Sequence, residues 1–226
     1  MTDAILRPAL ADGRVVAGFT TRAFSPETDS LESARARLGE TLGMPVASVG
    51  QVHGADVAVV REAGHVDAHD GLVTDQAGLV LSVVAADCAL VLLADAEAEV
   101  VGACHSGWRG TVAGIVGETV RQMRALGGEP GRTRAYLAPC ISTEAFEVGE
   151  EVAAAFDDSV VLRKDEWPRP HVDLRADLRR QLAEAGILDV EVEGSCTVAD
   201  ERFYSYRGEG GTPGRMLGFV GIREIP

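Results

Sequence analysis

The chain predicts a mixed α/β (α+β) sandwich with a covered, central sheet, and three features of its patterning say so. Short Val-rich runs recur along it, several nearly continuous in apolar residues, as strands covered on both faces are. Between and after them lie stretches whose apolar residues repeat every three or four positions, as on one face of a helix. The two kinds of segment mix without regular strand–helix alternation, which argues against a doubly wound parallel sheet.

In chain order, residues 14–19 read as the first strand, and Leu31, Ala34, Leu38 and Leu42 form a helical stripe behind it. Strands follow at 57–60, 79–84, 90–94 and 100–104, with residues 61–70 read as a long polar loop. Val112, Ile115, Val116, Thr119, Val120 and Met123 form a stronger stripe, predicting one helix that Gly127-Gly128 stops. A third helix is expected over 144–156. Asp173 is a suitable N-cap for a fourth, in which Leu174, Leu178 and Leu182 share a face until Gly186 ends it. Trp167-Pro168-Arg169-Pro170 reads as an extended surface connection, and strands return at 190–192 and 216–222.

With 226 residues and no compositional break, the chain is expected to form a single domain over 1–226. A net charge of -14 repels a phosphate backbone, so nucleic acid is not an expected partner. A small anionic substrate then needs a local basic pocket, for which Arg22, Arg109 and Arg207 are candidates. Residues 1–18 carry Asp3, Arg7, Asp12 and Arg14, unlike a secretory signal, and no run of about 20 apolar residues suggests a bilayer span. The expectation is a cytoplasmic protein with no membrane partner. Its four cysteines, with no Cys-X-X-Cys pair, suit reduced thiols. No heptad or long apolar stripe announces a partner, so a monomer is expected.

The chemistry concentrates at Gln51-Val52-His53-Gly54, Ala86-Asp87-Cys88 and Cys104-His105-Ser106-Gly107-Trp108-Arg109-Gly110. A catalytic zinc ion takes three ligands from His, Cys and carboxylates and keeps a position for water, a count that His53, Cys88 and His105 satisfy. Cys104 competes with Cys88 for the thiol role, although adjacent strand residues 104 and 105 point to opposite faces. Residues 106–111 read either as an anion-holding turn strengthened by Arg109 or as a tight strand-to-helix connection. Among Asp70, Asp75 and Asp87, Asp87 is favoured for proton transfer or for orienting an imidazole, because it adjoins Cys88 in an apolar stretch. His65, His69 and His171 are expected to have no catalytic part. Phe203-Tyr204-Ser205-Tyr206-Arg207 offers stacking surface and a cation.

These motifs, together with Gly18-Phe19-Thr20-Thr21-Arg22, Asp70-Gly71-Leu72-Val73-Thr74-Asp75, Pro139-Cys140-Ile141 and Gly214-Arg215, occur in the order seen in the laccase-domain family. That family is also called YfiH-like, multicopper polyphenol oxidase or peptidoglycan editing factor, and the resemblance spans residues 15–222. It implies a single-domain YfiH-like fold, with β-sheets sandwiched between helices, and a zinc site on His53, Cys88 and His105. It also implies purine nucleoside chemistry: phosphorolysis of adenosine, inosine, guanosine or methylthioadenosine, and hydrolytic deamination of adenosine. On that basis Arg22, Gln51, Asp70, Asp87, Arg109 and Arg207 become candidate substrate contacts for nucleoside and phosphate. The chain departs from the family pattern after Arg22, where Ala23-Phe24-Ser25-Pro26 replaces the usual Gly-Gly-Val-Ser, and at Leu90 and Ala138, where proline and glycine are usual.

Zinc is expected in preference to copper. Oxidation of the laccase kind needs several coppers held largely by imidazoles, and five histidines without a His-X-His pair do not furnish that set. Two other functions share the same residues: a cysteine-dependent amidase acting on peptidoglycan precursors, with Cys88 as nucleophile and His105 as base, and a catalytically silent nucleoside-binding module.

Overall fold

The computed structural model describes residues 4–25, 30–211 and 214–224, so Pro26 in the altered segment after Arg22 lies outside the described residues. Its first six-stranded sheet contains β1 (Ile5–Leu6), β2 (Val15–Thr20), β3 (Val46–Gly50), β5 (Gly64–Asp67), β7 (Val80–Ala85) and β14 (Met216–Ile222). The second contains β4 (Val57–Val59), β6 (Gly71–Thr74), β8 (Ala89–Asp95), β9 (Val100–Ser106), β10 (Arg134–Leu137) and β13 (Asp189–Val192). Strand orders are β1-β2-β14-β7-β3-β5 and β13-β10-β8-β9-β6-β4, with a separate ribbon of β11 (Val161–Leu162) and β12 (His171–Val172). The helices are α1 (Leu31–Leu42), α2 (Trp108–Val112), α3 (Ile115–Ala125), α4 (Glu150–Ala153) and α5 (Leu174–Glu184).

Period-two alternation on the fully buried strands builds the layers. In β8, Leu90 and Leu92 join Phe19, Leu81, Ala103 and Val220 in the core between the sheets, whereas Val91 and Leu93 pack with Ile115, Val120, Leu178 and Leu182 beneath α3 and α5. On the other outer face, Ala34, Leu38 and Leu42 of α1 pack on Val16, Val84 and Phe219. Each fully buried leucine in these layers contributes about 1.5–3 kcal/mol. The result is the expected mixed sandwich, helix on sheet on sheet on helix.

Ser30 caps α1 by accepting from Ser33 N, and Asp173 caps α5 by accepting from Ala176 N. The helix expected from Val112 is divided. Gly114 adopts φ 79°, ends α2 and starts α3, which leaves Val112 exposed instead of on the buried stripe. Over 144–156 only α4 is helical, because Glu147 bridges His171 and Val148 N donates to Pro170 O, diverting that stretch into strand-like pairing. Within the expected loop 61–70, β5 pairs in parallel with β3 at the sheet edge. Its largely exposed residues Gly64-His65-Val66-Asp67 carry no apolar alternation to announce a strand. Among the described residues, no helix is long and apolar enough to cross a membrane.

Candidate functional site

His105 lies near the end of β9, in phase with Val101 and Ala103 on the face between the sheets, while Cys104 turns to the helix layer. Cys88 occupies the turn from β7 to β8, which pairs antiparallel with β9, so both reach the same end of the second sheet. His53 comes from the segment after β3. The ligand atoms of His53, Cys88 and His105 all lie within 4.8 Å of one another. The two imidazoles meet edge to face, with ring centroids 4.8 Å apart.

Asp70 holds this arrangement together from behind. Completely buried, it accepts hydrogen bonds from Val52 N at 3.0 Å, His53 N at 2.9 Å, Gly54 N at 2.7 Å and His105 Nδ1 at 2.8 Å. Successive N–H groups wrapped around one carboxylate form an anion nest, which fixes His53 at φ 63°, a left-handed conformation that a non-glycine residue adopts at a cost of about 1–3 kcal/mol. By occupying His105 Nδ1, the same carboxylate leaves Nε2 as the ring's free ligating atom. The imidazole-orienting role that the sequence favours for Asp87 therefore falls to Asp70. Neither carboxylate is free for substrate, since Asp87, at φ 85°, accepts Thr197 Oγ1 at 2.6 Å and Arg207 N at 2.7 Å. Asp75 pairs with Arg61.

Burial alone would raise the Cys88 pKa, but hydrogen bonds and charge from His105 and His53 bring it down to about 6, so the thiolate prevails at neutral pH. Burial opposes protonation of His105, yet Asp70 and Cys88 push its pKa up to about 9. Cys104, enclosed beside Thr119, is pushed up to about 12 by burial and is unreactive. Gly107 is required for room: a Cβ there would stand 3.0 Å from Cys88 Sγ and 3.1 Å from His53 Cδ2. Ser106 and Thr111 share a 2.8 Å hydroxyl bond and Thr111 N donates to Gly107 O, closing a tight strand-to-helix connection.

These three side chains border a cavity of about 720 Å3 whose wall includes Gln51, Asp87, Trp108, Arg109, Phe146 and Arg207. Gln51 exchanges both amide bonds with Val84 at 2.8 Å and so serves as a pin on β7. Arg109 stacks on Trp108, and Arg207 donates to the Ala145 and Glu147 carbonyls. Arg22 is not part of this wall. Its guanidinium pairs with Glu209, donates to Phe203 O and lies over Tyr204. Arg35, which lies outside the sequence motifs, lines the cavity with His65, for which no catalytic part is expected, and with Arg215 of the Gly214-Arg215 motif. His65 shares a 2.9 Å bond with Ser48 Oγ, whereas His171 is buried against Trp167 and outside the cavity.

Comparison with known proteins identifies relatives in both sequence and fold. Residues 21–223 match the family model for multi-copper polyphenol oxidoreductase laccase. A purine nucleoside phosphorylase of Deinococcus radiodurans is 42% identical over 196 residues, covering 83% of this chain and 76% of its own. The Streptomyces griseus purine nucleoside phosphorylase ORF3 is 40% identical, covering 82% of this chain and 79% of its own. Among solved structures, YlmD from Geobacillus stearothermophilus superposes with a TM-score of 0.86 at 30% identity, over 99% of this chain and 98% of its own. The hypothetical protein YfiH of Bacillus licheniformis gives 0.83 at 26%, over 92% of this chain and 93% of its own.

Proposed function

The chain belongs to the multi-copper polyphenol oxidoreductase laccase family, and from that premise we propose that it is a zinc-dependent purine nucleoside phosphorylase that also deaminates adenosine. The observation that carries the reading is the group His53, Cys88 and His105, three converging donors at the wall of a cavity large enough for a nucleoside. Relatives named purine nucleoside phosphorylase supply the reaction class.

The donor set fits zinc. A thiolate and two imidazoles are borderline-soft ligands, a carboxylate sets one ring's tautomer, and His53 is exposed on the open side. When bound, zinc supplies a Lewis acid able to acidify water or polarise a substrate oxygen. The chain's own residues do the remaining work. Arg109 and Arg207, neither paired with a carboxylate among the described residues, set positive charge beside the centre, where phosphate is to attack the anomeric carbon as the bond to the base nitrogen breaks. Trp108 and Phe146 offer flat apolar surface for the purine. Deamination exchanges the C6 amino group of adenosine for a water oxygen, releasing ammonia and inosine. Inosine, guanosine and methylthioadenosine are the further expected phosphorolysis substrates.

The acidity of Cys88 favours a second reading, a metal-free cysteine amidase acting on peptidoglycan precursors. Chelation separates the two. Zinc chemistry is lost to a strong chelator and restored by zinc, whereas an acyl-enzyme survives chelation and succumbs to thiol alkylation. His53→Ala should abolish zinc retention and turnover together, and full activity in that variant refutes the three-ligand centre. Nucleoside binding without conversion would leave the silent binding module.

A further inference from the structure

The centre accounts for the middle of the cavity and leaves its α1 wall unexplained. Leu31 and Arg35, one turn apart at the start of α1, both line it, together with Val49 and Gly50 of β3. Arg35 is half-buried, and its Nε is fully enclosed without a hydrogen-bond partner among the described residues. The guanidinium's protein contact is a long 3.5 Å bond from its terminal nitrogen to the Val49 carbonyl, and among the described residues no carboxylate pairs with it. An arginine in this condition loses part of its hydration without gaining a counter-ion among the described residues, and desolvation accordingly lowers its pKa. Guanidinium offers five N–H groups in a planar fork that fits a tetrahedral oxyanion in bidentate fashion. The positive end of the α1 dipole adds to the same field.

The surrounding charge points the same way. Although the chain carries a net charge of -14, the cavity is lined by Arg35, Arg109, Arg207 and Arg215 against one carboxylate, Asp87, whose two oxygens are already committed to Thr197 and Arg207 N. Arg22, the strand-end cation the sequence offers for phosphate, is bound to Glu209 outside the wall.

We propose that Arg35 forms the oxyanion subsite of this cavity and binds the inorganic phosphate that phosphorolysis consumes. The assignment rests on the phosphorolytic reading above and adds to it a residue of the α1 wall. Arg35 contacts the co-substrate and does not act through the metal ligands. Its removal therefore separates phosphate use from the rest of the site.

The test uses zinc-loaded wild type, Arg35→Gln and Arg35→Lys. For Arg35→Gln the expected result is a phosphate KM raised about ten- to hundredfold, the loss of charge-assisted hydrogen bonds to one oxyanion. The nucleoside KM, phosphate-free deamination and zinc content stay unchanged, and Arg35→Lys recovers part of the phosphate affinity. Calorimetric titration of inorganic phosphate into each resting protein gives a readout independent of turnover, and Arg35→Gln should bind it correspondingly more weakly. Wild-type phosphate affinity in a folded Arg35→Gln variant overturns the assignment, as does a wild type that binds no phosphate. Weakened binding of a nucleoside 5′-monophosphate with inorganic phosphate binding intact also overturns it. If wild type binds phosphate through Arg35 yet converts no nucleoside, the functional reading fails while the subsite stands.

Discussion

Asp70→Asn is the most searching perturbation of the centre, because one side chain holds two of its three ligands. Oδ1 accepts from His53 N and His105 Nδ1, and Oδ2 from Val52 N and Gly54 N. An amide keeps the shape but turns one oxygen into a donor, so whichever way it is placed, two buried N–H groups meet an N–H instead of an acceptor. At about 1.5–3 kcal/mol for each hydrogen bond to a charged group, the variant should be less stable by roughly 3–6 kcal/mol. If the amide nitrogen faces His105, the ring must accept at Nδ1 and carry its proton on Nε2, which removes a metal-ligating lone pair. Loss of an orienting partner of this kind lowers metal affinity about ten- to hundredfold.

The pH dependence has a definite sign. Burial works against the Asp70 carboxylate, but bonds from His105, Gly54 and Val52 hold its pKa below the ordinary value in the folded state. Its contribution is therefore present in full above the unfolded value of about 4 and disappears as pH falls through the folded pKa. The stability gap between wild type and Asp70→Asn should be widest at neutral pH and narrow in acid. Urea denaturation at several pH values, with zinc titration on the same samples, measures both effects. An Asp70→Asn protein with wild-type stability and wild-type zinc affinity at pH 7 would refute the reasoning.

Alkylation of the metal-free protein by iodoacetamide should proceed at Cys88 with half-maximal rate near pH 6, slow below and fast above, and a midpoint near the ordinary thiol value of 9 would remove the thiolate pair. Gly107→Ala places a Cβ 3.0 Å from Cys88 Sγ, and relieving that approach should cost about 1–3 kcal/mol and weaken zinc binding, read by thermal unfolding with and without metal; no change in either contradicts the packing argument. Arg22→Ala should lower stability by about 1–2 kcal/mol, through loss of the Phe203 carbonyl bond and the stacking on Tyr204, and leave the phosphate KM unchanged; a raised phosphate KM with normal stability would return Arg22 to the site.

The fold was legible where a segment's own pattern determines its fate. The continuous apolar runs of β7, β8 and β9 mark strands covered on both sides, and the Leu31–Leu42 stripe marks α1. Two errors came from pairing that periodicity cannot express: β5 is a polar edge strand held by β3, and the stretch before α4 is drawn into a bridge with His171. The division between α2 and α3 was present in the sequence as Gly114, but a glycine within a helical stripe reads as a tolerated defect until its left-handed φ is seen.

At the site, the ligand count, placement at strand ends and the family resemblance gather His53, Cys88 and His105, and strand alternation already hinted that Cys104 faces away. What sequence adjacency misassigned was support. Asp87 neighbours Cys88 along the chain, yet Asp70, 35 residues from His105, is the group that orients the imidazole. Arg35 was hidden for a related reason, since an arginine on an amphipathic helix reads as a solvated face until the cavity beside it and the unpartnered Nε are both known.

The central claim is tested most directly by incubating metal-quantified protein with adenosine, with and without phosphate, and separating inosine, adenine and ribose 1-phosphate. The account predicts about one zinc ion per chain, free adenine with an equal amount of ribose 1-phosphate when phosphate is present, and inosine in its absence. The same product yield from protein stripped of metal, or from zinc-loaded protein in which His53, Cys88 and His105 are all alanine, would contradict it.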